Sequence, residues 1–503
     1  MVFSSPTFLF LFLPAVLLAT WLSPTPLRRF VLLGASLVFY AWGVQEFVFV
    51  VIASTLFDWA LARGIARRHR GDPGHETAVP DEGDEPHVPT AQTVDRWRHD
   101  PVAKICLLVG LFQNLSLLAY FKYGGFASEQ AERLADVLGL SSPGTIAVAL
   151  PIGISFFTFE KISYLVDVWR GDVEARRDPL DVLLFVALFP RAIAGPIVRL
   201  REIAPDLRRP KPTVDLASAG ALRFTQGLAK KVLIADQIAP IADACFASAG
   251  DGSLTMGAAW LGALAYALQL YFDFSGYSDM AIGIGMMLGF RLPENFNRPY
   301  SAYSVTDFWR RWHMTLSRWF RDYVYIPLGG NRGSERATER NLIIVFALTG
   351  LWHGAAWAFV LWGLYHGAWL LLERRMGWRA VDGPPRWPVA RRAVLLIIVI
   401  LGWVLFRAES LDLAADYYRA MVEPTFGLAE PIRLVITNQA IAAMLLGTLV
   451  CFLPRDRSAG WLLTEEPGRT ALVARTLLIA LVLPASLAAA FSSSFSPFLY
   501  FQF

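Results

Sequence analysis

The sequence predicts an all-α, polytopic membrane protein. Three observations carry that expectation. Hydrophobic residues are 55% of the 503 residues and charged residues only 17%, against globular norms of about 45–50% and about 25%. Mean hydropathy is +0.43. The apolar residues fall in long runs separated by arginine-rich segments. A disordered, fibrous or ordinary soluble chain is therefore excluded. The formal net charge of +4 is too small to imply nucleic acid. Cys106, Cys245 and Cys451 are far apart and lie in or near apolar runs, which argues against a disulfide framework and against a cysteine metal site.

A crossing helix needs about 20 mostly apolar residues. Candidate stretches are 7–22, 30–44, 46–62, 102–121, 146–167, 181–198, 218–242, 256–273, 276–290, 341–372, 393–406, 434–453 and 471–490. Several are short or interrupted by Gly and Pro, so about eleven true crossings are expected, with re-entrant and interfacial helices besides. No basic residue precedes 7–22, and Arg28 and Arg29 follow it. It reads as an uncleaved first crossing with its N-terminus outside.

The basic clusters test the remaining segments. With Arg177 and Arg199 on one side, segment 181–198 enters and leaves on that side, and Arg191 with two prolines inside it also argues against a plain crossing. Segment 341–372 has Arg340 before it and Arg374 and Arg375 after it. As one helix it would run about 48 Å, against a hydrocarbon core of about 30 Å. A break or hairpin near Gly350–Gly354 resolves both facts, and irregular backbone at that depth implies a cavity or burial in protein. The whole chain, 1–503, reads as a single membrane domain. Its one clearly soluble insert is 66–100, rich in Gly and Pro with the acidic run Asp81–Glu85, and it reads as a flexible cytoplasmic loop. No internal repeat supports an inverted-repeat transporter.

Of seven histidines, His69, His75, His87 and His99 belong to that polar insert and its edges and read as solvated. His313, His353 and His366 lie in or beside apolar sequence, where a polar group is costly and points to function or to hydrogen bonding between helices. His353, in Leu348-Thr349-Gly350-Leu351-Trp352-His353-Gly354, is either a general base or a packing residue. Along one helix His366 would be about 20 Å from it, so the two share a site only if the helix breaks; packing is the better reading. His313 sits in a run of interleaved aromatics and arginines, Phe308 to Tyr323. Single-stranded nucleic-acid binders have such composition, but flanking crossings favour an interfacial helix with snorkelling arginines, or one that holds an anionic phosphate. No nucleophile elbow, complete dinucleotide fingerprint, P-loop or zinc motif is present. Glu160 and Asp167, seven apart on one helix face, and Asp273 and Asp279 suit helix-to-helix pairing or a proton path.

The chain resembles the membrane-bound O-acyltransferases, in the bacterial branch that includes alginate O-acetylation and lipoteichoic acid D-alanylation proteins. The resemblance rests on Met1-Val2-Phe3-Ser4-Ser5, Pro151 to Phe159, Ser163 to Val168, Phe189-Pro190 and Ala194-Gly195-Pro196-Ile197. It is strongest over Asp273-Phe274-Ser275-Gly276-Tyr277-Ser278-Asp279-Met280-Ala281-Ile282-Gly283 and Pro293-Glu294-Asn295-Phe296-Asn297-Arg298-Pro299-Tyr300. Trp309 to Gly330 and Thr349 to Gly354 complete it. The last 130 residues match only in hydrophobic pattern, and insert 66–100 is longer than the family's pattern.

The resemblance implies a helical fold around a central funnel, with His353 of the Trp-His-Gly motif at its narrowest point and His313 as the second family histidine. Both are then expected to be catalytic. The implied activity is acyl transfer, most simply acetyl transfer, from a cytoplasmic thioester to a hydroxyl, with an extracytoplasmic polysaccharide as acceptor, reached directly or through a partner protein that carries the acyl group. Substrate binding is expected of Arg310, Arg311, Arg318 and Arg321, whose guanidiniums suit the phosphates of acetyl-CoA, and of Asp273, Ser275, Asp279, Asn295 and Trp352. No metal and no resident cofactor are expected, and the place is the cytoplasmic membrane. The rival reading is a transporter or flippase of acyl groups or glycan precursors that performs no chemistry.

Overall fold

The structure, a computed structural model, describes residues 2–69, 100–141, 144–145, 148–149, 151, 153–378, 386–452, 468–492 and 498. Among these, all regular structure is helical. Of the expected loop 66–100, residues 70–99 lie outside the described set, with the solvated histidines His75, His87 and His99; Asp100 is described and caps the next helix by accepting from the amides of Val102 and Ala103, both at 2.8 Å. The chain divides into two compact units.

The first unit holds Leu13–Thr213 and Leu288–Leu292. Its helices are α1 (Leu13–Leu22), α2 (Thr25–Val44), α3 (Phe47–His69), α4 (Pro101–Leu118), α5 (Gly124–Val137), α6 (Ile154–Arg170), α7 (Pro179–Ala187) and α8 (Leu200–Arg208). Buried polar groups tie α3, α4 and α6. Lys161 donates to the Ser54 hydroxyl at 2.8 Å and stands 3.6 Å from Asp58, which accepts from the Asn114 amide at 2.9 Å. Helix α7 has nine residues, about 14 Å, and cannot cross a core of about 30 Å. The chain turns over Leu188–Val198, and the guanidinium of Arg208 at the end of α8 comes within 3.3 Å of Asp181 at the start of α7. The end of α8 thus comes back to the start of α7. Arg191, fully buried in the turn, is ion-paired with Glu160 of α6.

The second unit holds Val2–Phe12, Val214–Met287 and Pro293–Phe503. Its helices are α9 (Val214–Ala229), α10 (Asp236–Gly250), α11 (Met256–Met287), α12 (Val305–Trp309), α13 (Met314–Phe320), α14 (Glu335–His353), α15 (Trp357–Arg375), α16 (Pro388–Arg407), α17 (Leu411–Val422), α18 (Glu430–Val435), α19 (Asn438–Phe452), α20 (Arg469–Leu477) and α21 (Leu483–Ser492). The two expected crossings 256–273 and 276–290 are one helix, α11. Gly276 does not break it because its bare Cα is a contact surface. A Cβ at Gly276 would lie 2.8 Å from the Gly227 carbonyl, and one at Gly220 would lie 2.5 Å from that of Gly283. Helices α9 and α11 thus run antiparallel with backbones touching.

Segment 341–372 is a hairpin of α14 and α15, broken after His353 at Gly354–Ala356. Gly350 and Gly363 face each other across it; a Cβ on Gly350 would lie 3.3 Å from the Gly363 Cα. At the open end Arg375 makes two hydrogen bonds of 2.9 Å to Glu339, which returns the chain to its starting side. Among the described residues, five helical stretches are long and apolar enough to cross a membrane: Phe47–Arg68, Pro101–Val137, Val214–Gly250, Pro388–Arg407 and Arg469–Ser492. Length and apolarity alone thus give fewer than the expected eleven, because several apolar stretches are bent back or carry paired ions.

Candidate active site

His353 is the last residue of α14, and Gly354 continues as extended backbone. That places the imidazole at the hairpin tip, about 21 Å along the helix from Glu339. Three rings surround it edge-on: Trp352 at 5.0 Å, Trp362 at 5.0 Å and Phe406 at 5.2 Å between centroids. Only 4% of His353 is exposed. Trp352 also packs on His313, at 6.0 Å, so one indole stands between the two histidines. Trp362 likewise contacts both His353 and His366, the latter at 5.2 Å. The break between the helices is what brings His366 into the neighbourhood of His353.

His313 adopts a left-handed conformation, φ +44°, uncommon for a residue with a Cβ. Backbone pairing holds it there: the Met314 amide donates to the Asn295 carbonyl at 2.9 Å, and the Asn297 amide to the Arg311 carbonyl at 2.8 Å. The Asn295 side chain is the hub. Its NH2 donates to Ser278 at 3.1 Å. Its carbonyl accepts from the Thr315 hydroxyl at 2.9 Å and from His313 Nδ1–H at 3.1 Å. Since the carbonyl can only accept, the neutral His313 carries its proton on Nδ1 and its lone pair on Nε2. His313 lies outside the spanning helices, and burial lowers its pKa, which keeps the ring neutral.

The turn in the chain at His313 corrects the expectation of one interfacial helix over 308–323. The stretch is two short helices, α12 and α13, and Phe308, Trp309, Trp312, Trp319 and Phe320 are buried. Its aromatics are core, because they stack on one another, on α16 and on the hairpin: Trp312 on Trp403 of α16 at 4.8 Å, Trp309 on Trp362 of α15 at 5.6 Å. Glu373 of α15 fastens α12 by accepting from the amides of Val305 at 2.6 Å and Thr306 at 2.9 Å. Sequence analysis passed over Glu373, whose only signal was a lone acid among four leucine and arginine neighbours. It also passed over Trp362 and Phe406, which have no polar signature.

The other expected substrate-binding residues are dispersed. Arg311 pairs with Asp307 at 2.8 Å and Arg321 with Asp322 at 2.6 Å. Arg310 is exposed and Arg318 half-buried. Asp279 pairs with Arg223 at 2.7 Å and Lys230 at 2.6 Å, and Asp273 with Lys231 at 2.8 Å, all in the second unit. Ser275 is buried on α11. Separately, an open cavity of about 590 Å³ is lined by Asp243, Phe246, Arg407, Glu409, Ser410 and Asp416. It begins one residue beyond Phe406, the ring against His353.

A family model described as the membrane-bound O-acyltransferase family matches residues 107–406. The chain is 42% identical, over 100% of both chains, to a protein of Azotobacter vinelandii named "Probable alginate O-acetylase AlgI". It is 36% identical to the peptidoglycan O-acetyltransferase of Helicobacter pylori, over 84% of this chain and 80% of that one. To the teichoic acid D-alanyltransferase of Bacillus subtilis it is 29% identical, over 43% and 56%.

Proposed function

This chain belongs to the membrane-bound O-acyltransferase family and is a multi-pass acyltransferase, and from that premise we propose that it moves an acetyl group from cytoplasmic acetyl-CoA to a hydroxyl of an extracytoplasmic polysaccharide. The hydroxyl belongs to the polymer itself or to a partner protein that passes the acetyl on. Acetyl is preferred because the relatives matched over four-fifths or more of this chain carry acetyl transfer in their names. Those names also cite alginate and peptidoglycan, which supports a polymer acceptor; the place that fits a cytoplasmic donor and an outer acceptor is the cytoplasmic membrane.

One observation carries the mechanism: His353 caps the hairpin tip, enclosed by aromatic rings and joined to His313 through Trp352. In a site so poor in water, a neutral imidazole takes the acceptor's hydroxyl proton as the oxygen attacks the thioester carbonyl. The new C–O bond forms, the C–S bond breaks, and the thiolate leaves with the proton that His353 held. Ester and free thiol balance thioester and alcohol. His313, oriented by Asn295, positions the reacting groups. Donor phosphates are bound by Arg310, Arg311, Arg318 and Arg321, and the acceptor approaches by the cavity beside Arg407. Asp273 and Asp279 support this site through their ion pairs, with Ser275 beside them.

The test is acetyl transfer by purified protein in proteoliposomes. His353→Ala is expected to lose about 10²–10⁴-fold with normal insertion, and His313→Ala to fall as well. Wild-type transfer by folded His353→Ala protein would overturn the role of His353 as the base.

A further inference from the structure

Three buried rings, one of which (Trp362) touches His353, pack mutually edge to face. Trp309 and His366 lie 5.2 Å apart at 87°, Trp362 and His366 5.2 Å at 74°, Trp309 and Trp362 5.6 Å at 74°. Trp362 and His366 have no exposed surface and Trp309 has 7%. The indole nitrogens of Trp309 and Trp362 and both ring nitrogens of His366 have no hydrogen-bond partner among the described residues. Nor is the neighbouring indole of Trp403 in the same state: it donates to the Tyr300 hydroxyl at 3.1 Å.

The inventory of these atoms is lopsided. Each indole offers one N–H and no acceptor; a neutral imidazole offers one N–H and one lone pair. Three donors therefore face one acceptor, and even a perfect internal pairing leaves two N–H groups unmet. A buried donor without an acceptor is costly, and here two of them are kept within one ring of His353. The place is specific. Trp362 touches His353 at 5.0 Å on one side and His366 on the other. Gly402 on α16 leaves room for His366: a Cβ there would lie 2.7 Å from Nε2.

We propose that the N–H groups of Trp309, Trp362 and His366 form the site that receives the oxygen of the donor's acyl carbonyl as it becomes an oxyanion. The proposal rests on the acyl-transfer reading above. As the acceptor oxygen adds to the carbonyl carbon, the C=O electron pair moves onto that oxygen, which then accepts from these donors. When the pair returns, the C–S bond breaks and the thiol departs with the proton from His353. Donors fixed in a dry site favour this charge far more than they favour the uncharged thioester. They therefore act on turnover rather than on donor affinity.

The experiment removes N–H groups without changing ring shape. Trp309 and Trp362 are each replaced by benzothienylalanine, in which sulfur stands for the N–H, and His366 by Phe or Gln. Acetyl transfer in proteoliposomes is followed across acetyl-CoA concentrations. Each Trp replacement and His366→Phe is expected to lower kcat about 10²-fold or more while KM stays near its normal value. His366→Gln, which keeps an N–H, is expected to recover much of the loss. Trp362→Phe serves as a second N–H-free variant. Normal kcat in a folded N–H-free Trp362 variant, or a loss confined to KM, overturns the proposal. His353→Ala, run alongside, separates the claims. If it keeps transfer, the role of His353 as the base falls and the oxyanion site with it; if it loses transfer while the ring variants keep theirs, only the oxyanion site falls.

Discussion

The Nδ1–H of His313 donates to the side-chain carbonyl of Asn295 at 3.1 Å, while the amide of the same asparagine donates to Ser278 at 3.1 Å. This pair of bonds fixes one tautomer and one ring orientation. Asn295→Ala leaves the histidine in place without its orienting group. We expect transfer to fall about tenfold, the worth of one buried hydrogen bond of about 1.4 kcal/mol. Assay in proteoliposomes checks it; unchanged transfer in a folded variant would mean that His313 needs no orientation.

The arginines proposed to bind the donor's phosphates divide by their present partners. Arg311 and Arg321 are committed to Asp307 and Asp322. Arg310 and Arg318 are therefore expected to matter more for the donor. Arg310→Gln or Arg318→Gln should raise the apparent KM for acetyl-CoA about 10–100-fold, since a charge-assisted bond is worth about 1.5–3 kcal/mol, with kcat little changed. Titrating donor for all four Gln variants tests this. Normal donor dependence in every folded variant would make a carrier-protein thioester the better donor.

The hairpin makes a topological claim. Cysteines at Arg336 and Met376 should react with an impermeant thiol reagent from the same side of the membrane, and only after cells are opened. One at Glu409, across α16, should react in intact cells. Labelling of Arg336→Cys and Met376→Cys from opposite sides would refute the hairpin.

Backbone contact across that hairpin leaves no room for a side chain. Gly363→Val drives methyl groups into the Phe346 carbonyl, and overpacking of this kind costs about 1–3 kcal/mol. A fall in Tm of several degrees is expected in detergent, with loss of transfer if the tip moves. An unchanged Tm would show that the arms stand further apart.

In the first unit, Glu160 is buried against Arg191 in the re-entrant turn. Glu160→Ala strands the guanidinium and should cost about 3–5 kcal/mol. Combining Glu160→Leu with Arg191→Met should cost less than Glu160→Ala alone, because no buried charge is left. Thermal unfolding of the variants checks the order; a double variant worse than the single would contradict it.

Much of this architecture was legible from where the arginines fall. Arg177 with Arg199, and Arg340 with Arg374, required two segments to return to their starting side, and the structure bends both. Charge placement is a long-range constraint written plainly along the chain. Other features rest on what meets in three dimensions. Gly276 looks like a breaker and is a contact point, because Gly227 lies opposite. The aromatic and arginine run of 308–323 has the composition of a surface helix, yet its rings are core because Glu373 and Trp403 receive them. His353 and His313 stood out as polar groups in apolar sequence; Trp362, between His353 and His366, had nothing local to mark it.

The crossing of α9 and α11 has a mechanical consequence. Gly220 meets Gly283, and Gly227 meets Gly276, seven residues apart on each helix, with ion pairs from Arg223, Lys230 and Lys231 along the same seam. A slip of one residue would drive side chains into carbonyls at both glycine pairs and part the buried charges at once. Such a seam has one register and does not shear. It is the stator of the second unit. Whatever admits substrates to a histidine as enclosed as His353 has to be looked for in aromatic side chains that rotate, not in a slide of α9 past α11.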